Sequence, residues 1–154
     1  MVFTVPQALR ESIRRHQQDL YTILLRAAAQ SRIKLAADPH DVGGLIGVLC
    51  VWHTWTRTLA YHPHVHCLVP AGGVSADRTQ WQPARRSYLV PVQALSQLFR
   101  GLFRALVRQE RPDLTIPESV WTKGWVVYGQ PALQGTEQVL NYLGRDCPPH
   151  RADQ

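Results

Sequence analysis

Tyr61-His62-Pro63-His64-Val65-His66-Cys67-Leu68-Val69-Pro70-Ala71-Gly72-Gly73 is the stretch on which the fold depends. Val65 to Val69 is bounded by Pro63 and by a Pro70-Ala71-Gly72-Gly73 turn, which predicts a strand. Upstream, beyond Gly43-Gly44, Leu45 to Thr56 is dense in Val, Ile, Leu and Trp and predicts a buried strand able to pair with the first as a hairpin. Side chains two apart on a strand share a face, so His64 and His66 point one way while Val65 turns into the packing behind them. His53 lies on the earlier strand and joins them if the hairpin register brings it across.

Helical periods flank this hairpin. Pro6 suits the first turn of a helix, and Leu9, Ile13, Leu20, Leu24, Ala27, Ala28 and Leu35 recur at near-helical spacing until Asp38-Pro39. One long or kinked helix is therefore expected over the first quarter. Short extended pieces are expected around Trp81 and over Tyr88 to Val90. From Val92, the residues Leu95, Leu98, Phe99, Leu102, Phe103 and Leu106 form an apolar helical stripe. Trp121 to Tyr128 reads as a further strand. A last helix is expected from about Gly135-Thr136, with Thr136 as its cap and Glu137 to Leu143 inside it. The fold class is then α+β, an antiparallel sheet flanked by helices.

Composition narrows the function classes. The chain has 154 residues, enough for one domain, and its 45% hydrophobic content is enough to build a core and argues against disorder. The longest apolar stretch, Leu45 to Trp52, is far short of the roughly 18 residues of a membrane helix. No membrane partner is expected. Basic residues outnumber acidic ones 17 to 11, for a net charge of +6, which favours a polyanion such as nucleic acid. Fifteen of the 17 are Arg, a bias that suits phosphate but that a GC-rich genome also produces. Cys50, Cys67 and Cys147 are an odd set without regular spacing, so a disulfide framework is not expected and a reducing cytoplasm is the natural setting.

Four of the seven histidines, His53, His62, His64 and His66, fall within fourteen residues. Two imidazoles side by side lie within reach of one ion at the roughly 2.0–2.1 Å of His ligation, although ordinary hydrogen-bonded histidines show the same spacing. A structural zinc site using Cys50 and Cys67 is awkward, because Cys67 follows His66 and points to the opposite face. Arg100, Arg104 and Arg108 recur every four residues, lining one helix face that either tracks a phosphate backbone or is simply solvated. Trp55, Trp81 and Trp121 have the chemistry to stack bases, with core packing as the alternative.

The histidine segment Tyr61 to Gly73, the helix Val92 to Leu106, and Val127-Tyr128-Gly129-Gln130-Pro131 running into Val139-Leu140-Asn141-Tyr142-Leu143-Gly144-Arg145 resemble the rolling-circle transposases of the insertion sequence ninety-one family. Those are two-tyrosine members of the His-hydrophobic-His superfamily of single-strand DNA endonucleases, with a ferredoxin-like core. The resemblance covers residues 1–145 and implies a DNA partner, single-stranded at the point of attack. It implies that His64 and His66 hold a divalent ion, Mg²⁺ or Mn²⁺, with His53 or Gln138 as third ligand. Tyr142 becomes the nucleophile, and Arg100, Arg104, Arg108 and Arg145 become DNA contacts. The alternative is a non-catalytic nucleic-acid-binding module in which the histidines are incidental.

The resemblance also marks departures. It implies a cysteine-rich zinc-binding segment ahead of Met1 and a longer carboxyl-terminal part, so the chain is expected to be a truncated piece of such a protein. A second tyrosine belongs at position 146, where this chain has Asp146, and the tail Asp146 to Gln154 does not continue the family pattern. Codons for those nine residues, read one nucleotide later, can encode Val-His-Arg-Ile-Ala-Leu-Thr-Asn, which resembles the family continuation. The expected organisation is a partial endonuclease domain over 1–145 and a frameshifted tail over 146–154, with activity of the fragment in doubt.

Overall fold

The computed structural model describes residues 1–56, 58–84, 92–129, 137 and 140. Their elements are β1 (Val2–Thr4), α1 (Gln7–Arg15), α2 (Gln17–Ala36), β2 (Leu49–Trp55), β3 (Tyr61–Leu68), β4 (Gly72–Val74), β5 (Trp81–Pro83), α3 (Val92–Glu110), α4 (Ser119–Thr122) and β6 (Val126–Tyr128). Four strands form one sheet in the order β2-β3-β1-β6, with every neighbouring pair antiparallel, and β4 and β5 form a separate ribbon. The α+β class and the antiparallel sheet are as expected. Among the described residues no helix is long and apolar enough to cross a membrane.

The sheet has two unlike faces because strand side chains alternate. Trp52, Val65, Phe3 and Val127 stand in one cross-strand row and face the helices, where the Phe3 ring meets Phe99 of α3 edge-on at 4.9 Å and Tyr21 of α2 packs on Trp52 at 4.2 Å. Beneath them lie Leu9 and Ile13 of α1, Leu20, Ile23, Leu24, Ala27 and Ala28 of α2, and Leu95, Phe99 and Phe103 of α3, all buried. The expected long or kinked helix is interrupted at His16, whose φ −127° and ψ 51° are not helical, which divides it into α1 and α2. Helix α2 ends at its C-cap Ala37, and Gly43, six residues on with a left-handed φ of +69°, donates its N–H back to the Ala36 carbonyl at 2.9 Å.

Three boundaries differ from the sequence expectation. Leu45 to Val48 do not extend β2, and Leu45 instead bridges to Val74; Gly72-Gly73 pair with Pro83 and Gln82 of β5 and so lie inside β4 rather than in a turn. Glycine is required at position 73, since a Cβ there would lie 2.6 Å from the Leu45 carbonyl oxygen. Trp121 to Tyr128 is not one strand but the single turn α4 followed by β6. Trp121 and Trp125 stack at 5.9 Å beside Phe103, and the Trp125 Nε1–H donates to the Val120 carbonyl at 3.0 Å, so these aromatics anchor a turn to the core instead of lining a strand. Tyr88 to Val90 lie outside the described residues. So does the helix expected near Gly135-Thr136, except Glu137 and Leu140, which are helical.

β1 was not foreseen, since three residues are too few to show a period. It nevertheless occupies the middle of the sheet, and Phe3 is fully buried. Phe3→Ala is expected to lower stability by about 3–5 kcal/mol, measured by urea unfolding, because it opens a cavity between β1 and α3.

Candidate metal centre

The β2–β3 register sets His53 directly opposite His64 and Val51 opposite His66. All three imidazoles therefore leave the sheet on the face turned away from the helices. Ring centroids are 5.3 Å apart for His53–His64, 5.0 Å for His64–His66 and 4.4 Å for His53–His66, the last pair stacked. One ring nitrogen from each lies within 4.8 Å of the others, and exposures are 9%, 5% and 2% for His53, His64 and His66. For one ion to be held by all three at the roughly 2.0–2.1 Å of His ligation, these nitrogens would have to draw closer together. Among the described residues this is the group of three ligating side chains that could hold a metal ion. Immediately beyond His53 the ladder slips, so that Trp55 opposes Tyr61. That irregularity turns Trp55 toward Tyr61, whose hydroxyl hydrogen-bonds that of Tyr21 at 2.8 Å on the helix side, and keeps the indole away from the imidazoles.

Hydrogen bonding selects the tautomer. His64 Nδ1 lies 2.6 Å from the His62 carbonyl oxygen, which can only accept, so Nδ1 carries the proton and Nε2 keeps the lone pair a metal requires. At His62 the roles reverse. The Arg10 guanidinium donates to His62 Nδ1 at 2.6 Å, making that nitrogen an acceptor, and the His62 ring is 5.3 Å from that of His64. Arg10 thus stands beside the histidine cluster. The sequence carries no signal for this, because Arg10 and His62 are 52 positions apart.

The arginine stripe is largely engaged inside the molecule. Arg100 donates to the Lys123 carbonyl at 2.8 Å; Arg104 pairs with Glu118 at 2.7 Å and lies 5.3 Å over the Trp121 ring. These two fasten α3 to the α4 turn, and Arg108 is exposed. Trp121 is buried in the core, whereas Trp55 and Trp81 are exposed. Cys50 and Cys67 face each other on the helix side, away from the imidazoles, which leaves the zinc alternative without a set of ligands among the described residues. Tyr142, Gln138 and Arg145 lie outside the described residues. One aromatic escaped the sequence reasoning: Tyr128, 56% exposed, is in the row Val51–His66–Val2–Tyr128 and so shares the histidine face, two strands or roughly 10 Å from His66.

The profile of the Y2_Tnp family, described as "Putative transposase", matches residues 47–148, a span that includes all three histidines. The chain belongs to this transposase family. It is 38% identical over 165 aligned residues to a protein of Sinorhizobium fredii (strain NBRC 101917 / NGR234) named "Putative transposase y4qJ", covering 94% of this chain and 41% of that protein. It is also 30% identical over 158 residues to the "Transposase for insertion sequence element IS801" of Pseudomonas savastanoi pv. phaseolicola, covering 94% of this chain and 37% of that protein. The chain therefore spans about two fifths of the length of these curated relatives. No solved structure matches it.

For this transposase-family chain the cluster makes a direct prediction. Titration calorimetry with Mn²⁺ is expected to show one site per chain, and His64→Ala or His66→Ala is expected to weaken it by more than about 100-fold, beyond the usual cost of losing an outer-shell partner. Arg10→Ala, which frees the neighbouring His62, is expected to cost about tenfold.

Proposed function

We propose that the chain is a metal-dependent nuclease of the rolling-circle type, which nicks single-stranded DNA and rejoins it through a covalent phosphotyrosine. The observation that carries this is the convergence of His53, His64 and His66 on one sheet face, with His64 held in the ligating tautomer. Three neutral nitrogens suit Mn²⁺ better than Mg²⁺, which favours oxygen ligands and strict octahedral geometry. Of the two candidate third ligands, His53 is supported by its place in the cluster. A divalent ion held there supplies positive charge against that accumulating on the non-bridging phosphate oxygens.

Tyr142 is the assigned nucleophile, supported by its position in Tyr142-Leu143-Gly144-Arg145 and inside the matched span. Its phenol gives up its proton as its oxygen attacks phosphorus, the new O–P bond forms as the bond to the 3′ oxygen breaks, and the departing 3′ oxygen takes up one proton to leave as a hydroxyl. The phosphotyrosine conserves the bond, so a 3′ hydroxyl can reverse the step without ATP. With Asp146 where a second tyrosine belongs, one covalent linkage is available at a time. Nicking and religation are expected, and a two-tyrosine transposition cycle is not. Arg10 at the cluster, Arg145 and the Tyr128 ring provide phosphate and base contacts for the incoming strand, and Arg108, exposed on α3 on the helix side of the sheet, offers a phosphate contact away from the histidine face.

Incubation with Mn²⁺ and an end-labelled single-stranded oligonucleotide is expected to yield a covalent adduct on denaturing gels that is lost with chelator and in Tyr142→Phe. Salt-dependent binding with no adduct and no effect of chelator would support a non-catalytic binding module instead. In the same assay Tyr128→Ala is expected to weaken oligonucleotide binding about tenfold, the scale of one stacked base, whereas Tyr128→Phe retains it.

A further inference from the structure

Cys50 and Cys67 occupy directly opposed positions on β2 and β3, and their sulfurs are 3.3 Å apart as free thiols. The Cys67 N–H donates to the Met1 carbonyl at 2.8 Å, and the Met1 nitrogen donates to the Cys67 carbonyl at 2.9 Å. Both main-chain groups of Cys67 thus turn toward β1. In an antiparallel ladder a residue's N–H and C=O point the same way, so toward β2 the Cys50–Cys67 pair is non-hydrogen-bonded, the type with Cα atoms about 4.5 Å apart and side chains closest. That separation lies inside the roughly 4.4–6.8 Å that a disulfide spans. Cys67 is only 1% exposed, while Cys50 is half-buried on the edge strand, so a small oxidant meets Cys50 first.

We propose that Cys50 and Cys67 form a reversible oxidation site, which hydrogen peroxide converts into a cross-strand disulfide. The Cys50 sulfur attacks peroxide: an S–O bond forms, the O–O bond breaks, and one water leaves a sulfenic acid. The Cys67 sulfur then attacks Cys50, the S–S bond forms as the S–O bond breaks, and a second water departs. Two thiols lose two electrons and one peroxide becomes two waters. A dithiol reductant reverses the change by thiol–disulfide exchange. The bond pins β2 to β3 one position from His66 and three from His53, yet from the helix side, leaving the imidazole face open. Oxidation therefore locks the register on which the His53–His64 pairing depends. The site stands whether or not the histidines carry a nuclease.

The test uses the full chain carrying Cys147→Ser, so that two thiols remain. After peroxide treatment, non-reducing tryptic mapping is expected to find peptide 35–57 linked to peptide 58–78 within one chain, a link that dithiothreitol removes, together with slowed hydrogen exchange in β2. A second chain carrying Cys50→Ser as well is expected to keep its Cys67 thiol under the same treatment. Sulfinic acid at Cys50 with Cys67 still reduced, links only between chains, or equally rapid oxidation of Cys67 without Cys50 would overturn the proposal.

Discussion

The pairing of β2 with β3 in a single register is the constraint from which the rest follows. His53 belongs to one strand and His64 and His66 to the other, so their convergence exists only while His53 opposes His64. A one-residue slip would carry His53 to the helix side and bring Trp52 out among the imidazoles. Packing on the helix side opposes this: Trp52, though 47% exposed, lies against the Tyr21 ring of α2 at 4.2 Å in a row with buried Val65 and Phe3, and a slip would break that contact. The slip in the ladder just past His53 then releases Trp55 toward Tyr61, ending the histidine row cleanly.

Three nearly buried imidazoles on one face are costly unless something uses or satisfies their polar atoms. His64 answers part of that demand by donating to the His62 carbonyl, and His62 by accepting from Arg10. These bonds fix the orientation of the His62 and His64 rings, as groups surrounding a metal site do. The helix face carries none of this chemistry. It supplies stiffness through Phe3, Phe99, Phe103 and Trp125, whose rings contact one another at 4.9–5.2 Å.

Net positive charge is a weaker guide to the interface than its size suggests. Arg26 pairs with Glu110, Arg32 with Asp41, Arg104 with Glu118, and Arg111 with both Asp19 and Asp113. Much of the basic content is thus engaged in holding helices and loops together. Arg32, fully buried with Asp41 at 2.6 Å, is wholly structural. A charge total counts these residues equally with the exposed ones.

The sequence by itself determined the α+β class, the histidine-bearing hairpin, the helix read over Val92 to Leu106 and the kinship with transposases, because each rests on local periodicity or on a contiguous motif. It did not reveal β1, too short for a period; the α4 turn, whose aromatics imitate a strand; or the Gly72-Gly73 strand, where close backbone approach excludes a Cβ. It left His53 as one option because register is a property of two strands. Arg10, Tyr128 and the facing Cys50–Cys67 pair were decided by tertiary structure alone, since groups far apart in the chain become neighbours only when the sheet and its helices burying Phe3 and Val65 choose which side chains share a face.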